Sequence, residues 1–525
     1  MAPAGAAVGP AFEPGRVALY EGKTTPAVIL IAIVAASGGL LFGFDNGVTG
    51  GVIAHPDFGP KFFPGMEGTG ADSDPFCKFN DHLLQLFTSS LFLAAAVAAM
   101  IGSWTCNRFG RKMTMLAGGT CFLIGTALVT GAVATGMLVV GRIVLGFGVG
   151  FACQATPLYL SEMAPYQARG ALNLCFQLAV TIGILGAQCI NYGTQYLRPY
   201  GWRVSLACGA VPALLLSIGA IALPDTPNSL VLRGHKEAGR RVLQRIRGTQ
   251  HVDVEFEDIC EAVQTASLVK NPYRTIVRRR YWPQLVITVL IPAFQQLTGI
   301  NAIMFYAPQL FQATGASSNA SLLASVVTGA VNVVSTLVAI VVVDRAGRRF
   351  LFLQGGAQML ACEVAVGILI HYNFMSPGNT AMSSAIVALI CIYVAGFAWS
   401  WGPLGWLVPS EIQPLETRAA GMGIATLTNF LFTFLIGQVF LTGLCDLKYG
   451  IFFLFAGFVL LMSLFVFFCV PETKGVPIEE LNEVIMQKHW LWSHVVKGAP
   501  RPENGSAATV APTKAARPPK DTAAV

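Results

Sequence analysis

The sequence predicts an all-α polytopic membrane protein, with twelve transmembrane helices arranged as two pseudo-symmetric six-helix halves. Three observations predict it: composition, the length of the apolar runs, and an internal repeat. Of 525 residues, 54% are hydrophobic and only 12% charged, whereas soluble domains carry about 25% charged residues. Apolar runs of roughly 20 residues recur along the chain, each long enough to cross a ~30 Å hydrocarbon core as a helix. They are continuously apolar and do not alternate, which excludes a β-barrel. The repeat pairs "SEMAPYQARG" (161–170) with "SEIQPLETRA" (410–419), and "NRFGRK" (107–112) with "DRAGRR" (344–349). Two matches in the same order mark two halves, as in secondary transporters that bind substrate between repeats near midplane.

In chain order, spans are expected at 26–48, 84–105, 113–134, 136–160, 171–193 and 202–223, then at 282–311, 320–343, 350–371, 383–408, 418–443 and 449–470. The first run is about one full span long and no small-residue cleavage site follows it, so it reads as a span and not as a leader. The segments are a cytoplasmic N-terminus (1–25), a first half (26–223), a polar helical linker (224–281), a second half (282–470) and a cytoplasmic tail (471–525). Between 225 and 281 stand eleven Lys/Arg against seven Asp/Glu. The basic loops "NRFGRK" and "DRAGRR" share that character, and the positive-inside tendency puts all three regions in the cytoplasm. An even span count places both termini there too.

The loop at 49–83 has the opposite sign: Asp57, Glu67, Asp72, Asp74 and Asp81 against Lys61 and Lys78. It faces outward, and its aromatics ("FGPKFF") suggest a small folded extracellular cap. The tail after about 490 is rich in Pro, Ala and Lys and reads as disordered, in any case after about 495. The net charge of +7 is explained by topology, so no nucleic-acid partner is implied. The twelve cysteines are scattered through spans without metal-type spacing and read as small apolar fillers. No metal cluster, cofactor motif or nucleophile constellation points to an enzyme.

Two charges stand where burial is most costly. Asp45, in "LLFGFDNGVTGG", is the only formally charged residue from Pro26 to Ala54, and Arg142 lies inside "MLVVGRIVLGFGVGF". The two spans run in opposite directions, so at ~1.5 Å per residue Asp45 is about 13 Å and Arg142 about 9 Å below the outer edge. Burial disfavours the ionised carboxylate and a nearby arginine favours it. Such a balanced pair suits a group that exchanges a proton during a cycle.

The seventh span holds Gln295, Gln296 and Asn301 in one apolar helix, beside the helix breakers Pro292 and Gly299. One buried amide is ordinary helix–helix glue. Three together offer both donors and acceptors to a polar ligand rich in hydroxyls.

The strings "GRIVLGFGVGF", "PLYLSEMAPYQARG", "PDTPNSL", "QQLTGINAIMFYAP", "DRAGRR", "GFAWSWGPLGWLVPSEI" and "PETKG" together resemble the sugar porter family of the major facilitator superfamily. Within it they are most similar to plant and algal proton–hexose symporters, over about residues 20–490. The resemblance implies a major facilitator fold and sugar contacts by Phe42, Gln177, Gln295, Gln296, Asn301, Asn332, Gly402, Trp406, Asn429 and Thr433. Trp399 and Trp401 read instead as packing residues. It implies that Arg111, Glu162, Arg169, Arg348, Glu411, Arg418 and Glu472 form cytoplasmic salt bridges that hold the inner gate shut. As exposed pairs these are each worth only ~0–1 kcal/mol, which suits a gate that breaks every cycle. It also implies a disulfide between Cys77 and Cys445. The sequon at Asn319 sits in a very short outer turn, where glycosylation is not expected.

Two positions depart from the family pattern: Pro224-Asp225-Thr226-Pro227-Asn228 ends in Asn, and Gly110-Arg111-Lys112 ends in Lys. Both bear on gating and not on substrate class. The function implied is proton-coupled uptake of a hexose, glucose first, across the plasma membrane by a monomeric unit. A passive facilitator shares the fold and sugar site but does not need the acid–arginine pair. A sugar sensor usually carries a longer tail than the roughly 55 residues present here.

Overall fold

The computed structural model describes residues 25–64, 77, 81–165, 169–268, 271–313, 317–375, 380–414, 417–474 and 489–497. The expected N-terminal segment up to residue 24, and the tail beyond Lys497, lie outside the described residues. The first half is built from α1 (Pro26–Ile53), α3 (His82–Arg108), α4 (Arg111–Thr130), α5 (Thr135–Met163), α6 (Arg169–Thr194), and α7 with α8 (Gly201–Ala207 and Ala210–Ala222). A short α2 (Gly59–Phe62) lies in the cap. The second half is built from α13 with α14 (Trp282–Leu297 and Ile300–Ala313), α15 (Ser318–Ala346), α16 (Arg348–Met375), α17 with α18 (Thr380–Trp399 and Trp401–Ile412), α19 (Arg418–Leu447) and α20 (Gly450–Cys469). Among the described residues eleven helical segments are long and apolar enough to span a membrane, and the pair α13–α14, bent by 41°, counts as a twelfth when taken as one span. No strand occurs among the described residues.

Two breaks shape the second half. Between α13 and α14 the chain turns at Gly299, whose φ of +79° is open to glycine and costly for other residues. Between α17 and α18 the turn is at Ser400 (φ −125°, ψ −91°). Both put non-helical backbone at membrane depth, which is tolerated only where protein buries it.

Within the first half α1 packs on α6, and α5 on α3 and α4; within the second, α16 packs on α17 and α20, and α13 on α19. The halves meet along two seams, α3 on α19 and α6 on α15. On the first seam Ser89 Oγ donates to Gln438 Oε1 at 2.7 Å and Gln85 Nε2 to Thr442 Oγ1 at 2.9 Å. The outward faces are apolar, with Leu30, Ile33 and Ile218 more than 60% exposed, as a lipid-facing surface requires.

At the cap end, Phe58 packs against Phe62, Phe63, Phe87 and Trp202 with ring centroids 5.3–5.8 Å apart. This is the small folded unit that "FGPKFF" predicts. Cys77 and Cys445 are joined in a disulfide, which ties the first half to the second. A cavity of about 460 Å³ also lies at this end, between α1, α6 and α15, lined by His55, Asn191, Gln195, Asn319 and Trp202 among others. Burial pushes the His55 imidazole below its ordinary pKa; Asp57 opposes that shift and Arg198 adds to it.

At the basic end, α9 (Pro227–Leu232), α10 (Lys236–Arg247), α11 (Asp253–Leu268) and α12 (Pro272–Ile276) form the linker. Arg247 fastens it to the end of α5, donating to Met163 O at 3.0 Å and Ala164 O at 3.1 Å while pairing with Glu255 at 2.6 Å. The tail holds structure further than its composition suggests, with α21 at Trp492–Lys497. The cause is local. The indoles of Trp490 and Trp492 donate to Phe468 O (3.0 Å) and Cys469 O (2.7 Å), two of the carbonyls that a helix end leaves open.

Candidate functional site: a buried ion pair beside an amide cluster

The structure brings Asp45 and Arg142 together. Arg142 Nη1 lies 2.5 Å from Asp45 Oδ1, and the side chains are 1% and 3% exposed respectively. Arg142 has further support from α3: its Nε donates to Phe87 O at 3.0 Å and its Nη2 to Thr88 O at 3.3 Å, with the guanidinium 5.0 Å from the Phe87 ring centroid. Asp45 is served less fully, because its Oδ2 is buried with no hydrogen-bond partner. The arginine therefore keeps two carbonyls if the acid is neutralised, while a proton on Asp45 has a vacant oxygen to occupy.

Tyr306 of α14 stands beside Thr88 and Arg142 from the second half and donates to Gly437 O at 3.1 Å. Its backbone is non-helical (φ −120°, ψ 19°). It lies within "QQLTGINAIMFYAP" and is not singled out from sequence, where an aromatic in an apolar helix has no distinguishing mark.

The amides of the seventh span converge on the second-half breaks. Gln295 Nε2 donates to Trp401 O (3.0 Å) and Gly402 O (2.9 Å), carbonyls freed where α17 gives way to α18. Its Oε1 accepts from Asn429 Nδ2 at 2.6 Å, and Asn301 Nδ2 donates to Gln296 Oε1. Gly402 thus contributes a carbonyl, and Thr433 donates to Asn429 O at 2.8 Å, fixing that stretch of α19. Trp406 packs edge-on to Phe176 at 6.0 Å, one residue from the nearly buried Gln177. Phe42 packs edge-on to Phe430 at 5.6 Å, and Phe430 adjoins Asn429. Asn332 is 3% exposed. Its Oδ1, like that of Asn429, is buried without a partner, and a hydroxyl donor would satisfy both. Trp401 is fully buried and donates to Phe352 O, while Trp399 donates to Gln354 Oε1, the packing roles read from sequence.

The charges at the basic end form one cluster in each half. Arg111 pairs with Glu162 at 2.8 Å and Arg348 with Glu411 at 2.9 Å. A threonine hydroxyl completes each acid: Thr226 to Glu162 Oε2 at 2.5 Å, Thr473 to Glu411 Oε2 at 2.9 Å. Glu472 accepts from the backbone N–H of Arg348 and Arg349 at the start of α16. Arg418 donates to Ser410 O at 3.4 Å, and the Arg169 side chain lies outside the described residues.

One expectation needs correcting. These pairs are not exposed, since the Arg111, Glu162 and Arg348 side chains are under 10% exposed and Glu411 is 20% exposed. Buried to that degree, they do not carry the weak energy of a surface pair. Sequence reading also missed Thr226 and Thr473. The signal was present, because Pro224-Asp225-Thr226 and Pro471-Glu472-Thr473 each follow the last span of a half.

Residues 31–485 match the family model described as "Sugar (and other) transporter". The chain belongs to that family. It is 52% identical over 484 residues to sugar transport protein 10 of Arabidopsis thaliana, covering 91% of this chain and 94% of that protein. It is 53% identical over 487 residues to sugar transport protein MST3 of Oryza sativa subsp. japonica, covering 91% and 94%. Among solved structures it is similar to XylE, a major facilitator superfamily proton:xylose symporter, bound to 6-bromo-6-deoxy-D-glucose, with a TM-score of 0.75, 27% identity, and coverage of 88% of this chain and 100% of that one. It is also similar to XylE from E. coli in a partially occluded inward-open conformation, with a TM-score of 0.70 and 26% identity, covering 86% and 100%. The fold is that of the major facilitator superfamily, and the protein is a membrane transporter of the sugar family and not an enzyme.

Proposed function

We propose that the protein carries a hexose, glucose foremost, into the cell with a proton by alternating access across the plasma membrane. The basic end and both termini face the cytoplasm, the cap faces outward, and one chain is the functional unit. One observation carries the coupling: Asp45 is bound to Arg142 and stands one helical turn from Phe42, whose ring touches Phe430 beside Asn429. Residues three apart share a helix face. Movement of α1 at the acid is therefore felt at the amide cluster.

A proton on Asp45 weakens the pair, and Arg142 stays on Phe87 O and Thr88 O. Released from the arginine, α1 is free to close Phe42 toward sugar held by Gln295, Gln296, Asn301 and Asn429. Sugar and proton then leave on the basic side once the Arg111–Glu162 and Arg348–Glu411 clusters loosen. The membrane potential drives the cycle with about 2.3 kcal/mol per charge per 100 mV, or roughly fifty-fold accumulation. That the related XylE is a proton:xylose symporter seen with a glucose derivative supports both halves of this reading.

The test is glucose uptake into proteoliposomes under a proton gradient. Wild type should accumulate sugar and lose that ability with an uncoupler. Asp45→Asn should equilibrate at a ratio of about one while still exchanging labelled for unlabelled sugar. An Asp45→Asn protein that concentrates glucose uphill refutes the assignment, and a wild type with no sugar-induced proton current is a passive facilitator.

A further inference from the structure

We propose that Glu363 is a second proton-binding site, placed behind the break in the seventh span and acting independently of Asp45. Glu363 lies fifteen residues into α16, about 22 Å along the helix, and so near the middle of its span. It is 3% exposed, and its Oε2 is buried with no hydrogen-bond partner. Among the described residues no cation pairs with it, in contrast to Asp45. A buried, unpaired carboxylate costs several kcal/mol, and an intramembrane ionisable residue is a functional site by default. A proton removes that cost.

The surroundings show what the proton would control. The helices packed against α16 are α15, α17, α18 and α20. The titratable groups in electrostatic contact with Glu363 are Tyr393 of α17 and Cys362, its neighbour on α16. The Tyr393 hydroxyl, fully buried, donates to Thr298 O at 2.6 Å, and the Thr298 hydroxyl donates to Gln295 O at 2.7 Å. Gly299, the turning residue between α13 and α14, follows directly. Tyr393 thus braces the break that aims Gln295, Gln296 and Asn301 at the site.

While Glu363 keeps its proton, Tyr393 keeps its bond to Thr298. When the carboxyl loses the proton to solvent, the resulting carboxylate is a stronger acceptor than a backbone carbonyl. It draws the Tyr393 hydroxyl away and releases the brace. Sugar affinity then falls as pH rises, in addition to any effect of Asp45. Glu363 is a positioning residue in this scheme, because it acts through Tyr393 and the break.

The test uses full-length purified protein in three variants: Asp45→Asn, Asp45→Asn with Glu363→Gln, and Asp45→Asn with Tyr393→Phe. Infrared titration should show the band of a protonated buried carboxyl in Asp45→Asn, lost on adding Glu363→Gln and retained on adding Tyr393→Phe. D-glucose affinity should fall about tenfold toward alkaline pH in Asp45→Asn, the loss of one braced hydrogen bond. It should be flat in both double variants. Absence of the band in Asp45→Asn overturns the proposal, as does the same pH profile with and without Glu363→Gln. The infrared measurement does not depend on sugar binding. Failure of Asp45 as the coupling group shows only in the accumulation assay and leaves these readouts intact.

Discussion

The two halves repeat themselves at the basic end and part company at midplane. In each, an arginine opening a helix binds a glutamate from the repeated Ser-Glu string, a threonine from a Pro-acid-Thr string completes it, and the arginine's other nitrogen reaches a carbonyl five residues earlier. Glycines at φ +96° and +89° precede the two arginines. A Cβ at Gly110 would run into Asp225, and one at Gly347 into Glu472, so the same close approach is built twice. At midplane the first half holds an ion pair, and the second a set of neutral amides with the buried carboxyl of Glu363 behind them. The lesson is a difference in chemistry: the basic-end device is built in both halves, whereas the buried ion pair is built in the first and the amide cluster in the second.

The largest expected effect tests the repeated part. Arg111→Gln and Arg348→Gln each remove the arginine that pairs with a largely buried glutamate, a change that costs about 3–5 kcal/mol for a fully buried pair. Arg111→Gln should be the worse, because Glu162 is 9% exposed and Glu411 is 20% exposed. Thermal unfolding in detergent measures both, and an effect confined to one half breaks the symmetry.

A smaller effect tests the second half. Gln295→Ala strands Asn429 Nδ2 and leaves two carbonyls unserved. A lost buried partner costs about 1–3 kcal/mol, so glucose binding should weaken roughly ten- to a hundred-fold. The protons moved per sugar should not change; a changed ratio would mean the halves are less specialised than their chemistry suggests. The smallest effect tests the junction. Phe42→Ala removes an edge-on aromatic contact worth about 1 kcal/mol, and should lower protons carried per sugar more than it lowers glucose affinity. Equal losses would make Phe42 a simple wall residue.

Much of this was readable from sequence, for identifiable reasons. Asp45 and Arg142 could be matched because spans of opposite direction have countable depths. Gln295, Gln296 and Asn301 announced themselves as amides among apolar neighbours, and Gly299 as a breaker. Cys77 and Cys445 were paired by resemblance. Glu363 is as plain an intramembrane acid as Asp45, yet no arginine at equal depth drew attention to it. Tyr306 and Tyr393 were illegible, because only packing reveals which carbonyl a buried phenol serves. The burial of the basic-end ion pairs was equally hidden, since it depends on how the chain after the last span of each half packs against them.

The Cys77–Cys445 disulfide has a mechanical consequence. Cys77 is only four positions from Asp81, the cap of α3, a tether of at most about 14 Å. Cys445 belongs to α19, so the bond stitches the α3–α19 seam at the cap end and leaves the α6–α15 seam unstitched. Tied at one seam, the halves have their freedom at the other, beside the cavity lined by Asn191, Gln195 and Asn319.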